Sequence, residues 1–154
     1  MSGFIAGGIP NTAFPISNGT FWPEISGQHL RAAMRITDAV TDSRLEVATV
    51  NAMIEANREL AGYRDAQGAL GFTSLADVPA EQIKGESQWL HLYRRVVYCN
   101  TLAELVERYS SFDATNSGEK KVTEEESCAD QLRRDARKAL RSILGISHTT
   151  VELL

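Results

Sequence analysis

Apolar positions along this chain recur mostly at steps of three and four, the spacing of one face of an α-helix. Ser26 can cap a short first helix that reaches about Arg35, with Leu30, Ala33 and Met34 on its apolar side. Ser43 and Glu46 have the S-x-x-E spacing of a capping box, in which each side chain satisfies an exposed backbone N–H of the other. Leu45, Ala48, Ala52, Met53, Ala56, Leu60 and Tyr63 then share one face of a second helix. Arg44, Glu55, Arg58, Glu59 and Arg64 fall mostly on the other side, and Gly68 and Gly71 end it. Residues 72–84 read as a connector in which Pro79-Ala80-Glu81 can open one helical turn.

A third helix is expected over about residues 86–112. Trp89, Leu92, Tyr93, Val96, Cys99, Ala103, Val106 and Tyr109 keep the helical period, while Leu90, Val97, Leu102 and Leu105 widen the apolar surface beyond one stripe. A helix of that kind is buried centrally or covered by a neighbouring subunit, and its two faces could supply part of a contact between subunits. Residues 113–121, with Asn116-Ser117-Gly118, predict a polar loop. Thr123 and Glu126 make a second capping box. Glu124, Glu125 and Glu126 then fall in the first turn of a fourth helix and Arg137, Lys138 and Arg141 near its end, both complementing the macrodipole. Its buried face is read as Cys128, Leu132, Ala136, Ala139, Leu140 and Ile143, and Gly145 stops it. The fold class is therefore all-α, a small bundle of about four helices over residues 26–145.

The two ends follow no helical period. Residues 1–28 hold one charged residue, Glu24, with Pro10, Pro15 and Pro23, five glycines, and Phe4, Phe14, Phe21 and Trp22. Proline and glycine prevent a regular helix, yet a solvated tail should be polar. Residues 1–25 are thus expected to be an extended arm lying on something apolar. For Phe21-Trp22-Pro23 this is either the chain's own domain or a partner; for the stretch from Phe4 to Phe14 a partner is favoured. The tail, 146–154, carries β-branched Ile146, Thr149, Thr150 and Val151 and ends Leu153-Leu154. It is too short to make a sheet alone, so it is expected to add to the sheet edge of another chain or to pack along the fourth helix.

Composition narrows the function more by exclusion than by assertion. A chain of 154 residues with 43% hydrophobic and 23% charged residues suits one ordinary globular domain. A formal charge of −4 argues against binding nucleic acid through bulk positive charge. No apolar run approaches the ~20 residues of a membrane span, and the start has neither the positive charge nor the apolar core of a secretory signal. Cys99 and Cys128 read as reduced thiols of a cytosolic product. His29, His91 and His148 have no Cys or His at metal-ligand spacing. Residues 119–141 hold six acids against seven bases, which reads as a solvated or intersubunit salt-bridge face. Gly7-Gly8 is not followed by Gly-Lys-Ser/Thr, so no phosphate loop is present. No cofactor, metal or catalytic group is expected, and the chain does not read as an enzyme.

Several stretches, in unbroken order over about residues 18–145, resemble the head completion proteins of contractile-tailed bacteriophages, the GPL family. They are Phe21-Trp22-Pro23-Glu24-Ile25, Asn57-Arg58-Glu59-Leu60 and Tyr63-Arg64, then Gly71-Phe72-Thr73-Ser74-Leu75-Ala76-Asp77-Val78-Pro79-Ala80 and Ile83-Lys84-Gly85-Glu86-Ser87. Glu107-Arg108-Tyr109, Lys120-Lys121, Arg133-Arg134-Asp135 and Ala139 follow. The G-F-T-x-L-A-D-V-P-A block followed by I-x-G-E-S is the specific part. The resemblance implies a structural adaptor of the virion neck, assembled in the host cytoplasm. Identical subunits would form a ring, twelvefold like the portal, below the portal protein and against the neck or tail terminator proteins. Double-stranded DNA would pass through it without sequence-specific contact. The tail residues Ile146, Thr149, Thr150, Val151, Leu153 and Leu154 are then candidates for portal contact. Phe4, Ile5, Ile9, Pro10, Phe14, Phe21 and Trp22 are candidates for contact with a neighbouring subunit or neck protein. Glu and Asp on the polar sides of the second and fourth helices are expected toward the channel. The alternative is a helical nucleic-acid-binding module of the packaging machinery.

Overall fold

A computed structural model of the chain describes residues 14–110 and 118–147, with side chains placed at 14–109 and 126–147. It is mostly helical, but two antiparallel strand pairs correct the all-α expectation. The first pair joins β1 (Pro15–Ile16) to β2 (Ile25–Ser26), with Ile16 opposite Ile25. Helix α1 (Gly27–Ala33) follows directly, capped as expected by Ser26, whose hydroxyl accepts from the His29 N–H at 3.1 Å. Arg35, in the left-handed region at φ 54°, ends it, and the chain turns back with Ile36 N–H on the Arg31 carbonyl.

Helix α2 (Asp42–Glu59) is capped by Thr41, two residues before the expected Ser43. The chain then breaks at Leu60, which closes α2 and opens α3 (Ala61–Ala69). One long helix to Gly68 is therefore replaced by two. Leu60 is wholly buried. Gly71, at φ 95°, reverses the chain. The connector forms a 3-10 turn at Leu75–Asp77, tied to the N-terminal hairpin by Leu75 N–H on the Phe21 carbonyl at 2.8 Å. Pro79 opens no helical turn. Instead β3 (Gln82–Ile83) and β4 (Glu86–Ser87) form a hairpin whose two turn residues, Lys84 and Gly85, both have positive φ.

Helix α4 (Gln88–Ser110) lies at the centre, packed between α2 and the antiparallel helix α5 (Gly118–Ile143). Its Tyr93, Val96, Val97 and Ala103 are wholly buried, so the excess of apolar surface is explained by central burial within one subunit. Helix α5 already runs from Gly118, which overturns both the loop to residue 121 and the Thr123 cap. Its core side is Ala129, Ala136, Ala139, Leu140 and Ile143. Cys128 is exposed and Leu132 only half-buried, both contrary to the face read from sequence. Leu92 is half-buried too.

Candidate functional site

The N-terminal hairpin is fixed by a polar cluster linking three segments remote in sequence. The Tyr93 hydroxyl on α4 donates to Asn57 Oδ1 on α2 at 2.5 Å. Asn57 Nδ2 donates to Asn18 Oδ1 at 2.8 Å, and Asn18 Nδ2 donates to the Tyr93 oxygen at 2.8 Å and the Pro23 carbonyl at 3.1 Å. Burial pushes the Tyr93 phenol up to about 12, because ionisation there would leave a charge with little water around it. Trp22 stacks on the Tyr93 ring at 5.1 Å with Phe21 edge-on to Trp22. Phe21 and Trp22 are 6% and 5% exposed, so they fill this subunit's own core and present no anchor to a neighbour. Residues 14–25 thus belong with the helical body, although the sequence reading placed them in the arm.

Phe14 marks where the arm joins the body. Its carbonyl accepts from Gly27 N–H at 2.8 Å, and its ring lies over Gly27 so closely that a Cβ there would collide with it. Phe4, Ile5, Ile9 and Pro10 lie outside the described residues, as do Thr149, Thr150, Val151, Leu153 and Leu154. Ile146 is 48% exposed just after α5.

Two surfaces outside the core stand out. One is a groove of about 910 Å³ between α1, α4, α5 and the tip of the β3–β4 hairpin. Ala33, Met34, Tyr98, Cys99 and Leu132 give it an apolar floor. Charged pairs line its rim: Glu86 chelates the Arg94 guanidinium at 2.5 and 3.1 Å, and Arg95 meets Asp135 at 3.6 Å. The Arg94 hydrogen bonds hold the Glu86 carboxyl below the usual range despite some desolvation. His29 Nδ1 shares a hydrogen bond with the Tyr98 hydroxyl at 2.7 Å, and His91 Nε2 meets the Ile83 carbonyl at 2.8 Å. Burial raises the Cys99 thiol, so it is a poor nucleophile. What this arrangement supplies is shape and paired charge around an apolar floor.

The other surface is a stripe on α2. Val47, Val50 and Ile54 are 58%, 36% and 59% exposed, directly opposite the face that buries Leu45, Ala48, Ala52 and Ala56. Sequence reasoning did not single out this stripe, although its i, i+3, i+7 spacing is legible. Of the third helix, read as part of a subunit contact, one face is buried against α2 and α5, while His91, Arg94, Arg95 and Tyr98 line the groove. The groove had no local signal, since its walls come from residues 24 to 135.

A family model described as phage head completion protein (GPL) matches residues 16–154. The head completion/stabilization protein of Escherichia phage P2 is 42% identical over 130 residues, spanning 84% of this chain and 77% of that protein. No solved structure matches.

Proposed function

The chain belongs to the phage head completion protein (GPL) family, and on that premise we propose that it acts as a non-enzymatic adaptor ring between the packaged head and the neck. The observation that carries this is the family match over residues 16–154. Identical subunits, twelve if they follow the portal, sit below the portal protein and extend the DNA channel. A ring needs a heterologous contact, in which one patch on each subunit meets a different patch on the next. The tail from Ile146 through Thr149, Thr150, Val151, Leu153 and Leu154 adds to a sheet edge of the portal protein. The arm, through Phe4, Ile5, Ile9, Pro10 and Phe14, contacts a neighbouring subunit or the neck protein.

DNA must slide through such a ring, so its lumen carries acidic and polar side chains rather than a phosphate grip. A formal charge of −4 per chain supports that lining. Among the described residues the candidates are Asp42, Glu46, Glu55 and Glu59, exposed on α2, and Glu126 and Asp130, exposed on α5. Symmetric reconstruction of the neck of intact particles tests the proposal. It expects a closed ring of this chain between portal and neck. Absence of the protein from the neck, or a narrowest lumen lined mainly by Arg and Lys, would count against it.

A further inference from the structure

The groove between α1, α4 and α5 begins where the arm ends. Pro15 pairs with Ser26, and Phe14 covers Gly27 with its ring while its carbonyl accepts the Gly27 N–H. Ser26 and His29, on either side of Gly27, line the groove. Residues 1–13 therefore join the body at the groove's edge. The chain from Phe14 back to Phe4 reaches about 33 Å when extended.

The lining describes what the groove can take. Its floor is apolar, with Met34 and Leu132 half-buried. Its charges balance at three carboxylates against three cations, and Glu86 with Arg94 and Arg95 with Asp135 are already paired. His29 and His91 are hydrogen-bonded as well, to the Tyr98 hydroxyl and the Ile83 carbonyl. A charged occupant would have to break such pairs, whereas an uncharged apolar one covers the floor and leaves them intact. Residues 1–13 hold no charged side chain and carry Phe4, Ile5, Ile9 and Pro10. Gly3, Gly7, Gly8 and Pro10 disfavour a helix, which suits an extended strip laid along a groove.

We propose that in the unassembled chain residues 4–10 lie in this groove of their own subunit, with their apolar side chains over Met34 and Leu132. Asn11-Thr12-Ala13 then forms the tether from Phe14. So short a tether gives an effective concentration on the order of millimolar, which favours the chain's own groove over a neighbour's in dilute solution. The other end of the chain fits less well. It leaves α5 beyond Ile143, about 16 Å along the helix from Leu132, and it carries Glu152. The inference goes beyond the ring reading and does not depend on it, because an arm seated in this way is covered before any contact between subunits forms.

The test uses the purified full chain at micromolar concentration, with Cys99→Ala and Cys128→Ser as background. Ile9→Cys combined with Leu132→Cys, treated with a short bis-maleimide, should give a monomer-sized product whose cross-linked peptide joins positions 9 and 132. Maleimide labelling of Leu132→Cys alone should rise about tenfold when Phe4→Asp and Ile9→Asp are added, as for a seat occupied roughly nine-tenths of the time. Met34→Cys repeats both measurements from the α1 side should Leu132→Cys fail to fold. Unchanged labelling overturns the inference, and so does a cross-link that forms only between chains. Cross-linking of Val151→Cys to Leu132→Cys within one chain, where Ile9→Cys gives none, would assign the groove to the tail and overturn it too. Each of these failures leaves the ring reading standing.

Discussion

At the scale of single residues, burial and the hydrogen-bond network decide what each substitution does. Leu45 is wholly buried in the core, so Leu45→Ala should cost about 2–5 kcal/mol in a denaturant titration. Leu132 is half-buried on the groove floor, and Leu132→Ala should cost clearly less, about 1 kcal/mol. The sequence marked both as core because both keep the helical period. It could not show that α5 is rotated to put Ala129, not Cys128, against α4. Tyr93 gives a pH dependence of known sign. Its phenol ionises near 12 when folded and near 10 when unfolded, so the folded state holds the proton more tightly. The stability this contributes is fully present below pH 10 and is lost as the pH rises toward 12. Alkaline unfolding midpoints should therefore fall less steeply over that window in Tyr93→Phe than in wild type. Equal slopes would mean the phenol is not buried as described.

At the scale of elements, the four main helical segments were legible from their apolar period, and most of their ends were not. The sequence reading took Ser43 as the cap of α2, and the structure shows that Thr41 is used instead. Thr41→Ala should cost about 1 kcal/mol and Ser43→Ala a few tenths at most; calorimetric midpoints of the two variants would separate them. The β3–β4 hairpin was hidden because lysine is an unusual residue for positive φ, so Ile83-Lys84-Gly85-Glu86 did not read as a turn. The break at Leu60 was hidden because apolar spacing continues through it to Tyr63. Tertiary pairings such as Asn18–Tyr93–Asn57 leave no mark on local spacing at all.

At the scale of the whole molecule, the family and the helical body were readable from sequence, because long amphipathic helices and the block at residues 71–80 are local signals. Which surfaces remain free was not, because it depends on how α1, α2 and α5 cover α4. The ends now have separable tests. Heads assembled with chain truncated after Gly145 should be filled with DNA yet fail to retain the protein, as immunoblots of purified particles would show. Normal infectious yield from that truncation would remove the tail from portal docking. The truncated chain itself should fold, since Ile143 is the last core residue described.

The stack of Trp22 on Tyr93 also makes the subunit its own optical reporter. The chain has two tryptophans, and Trp22 is buried while Trp89 is half-buried and donates to the Pro79 carbonyl. In a Trp89→Phe variant the emission comes from Trp22 alone, blue-shifted while the hairpin of residues 14–26 rests on α4. A red shift then times the release of that hairpin, and with it the root of the arm at Phe14, without any attached dye.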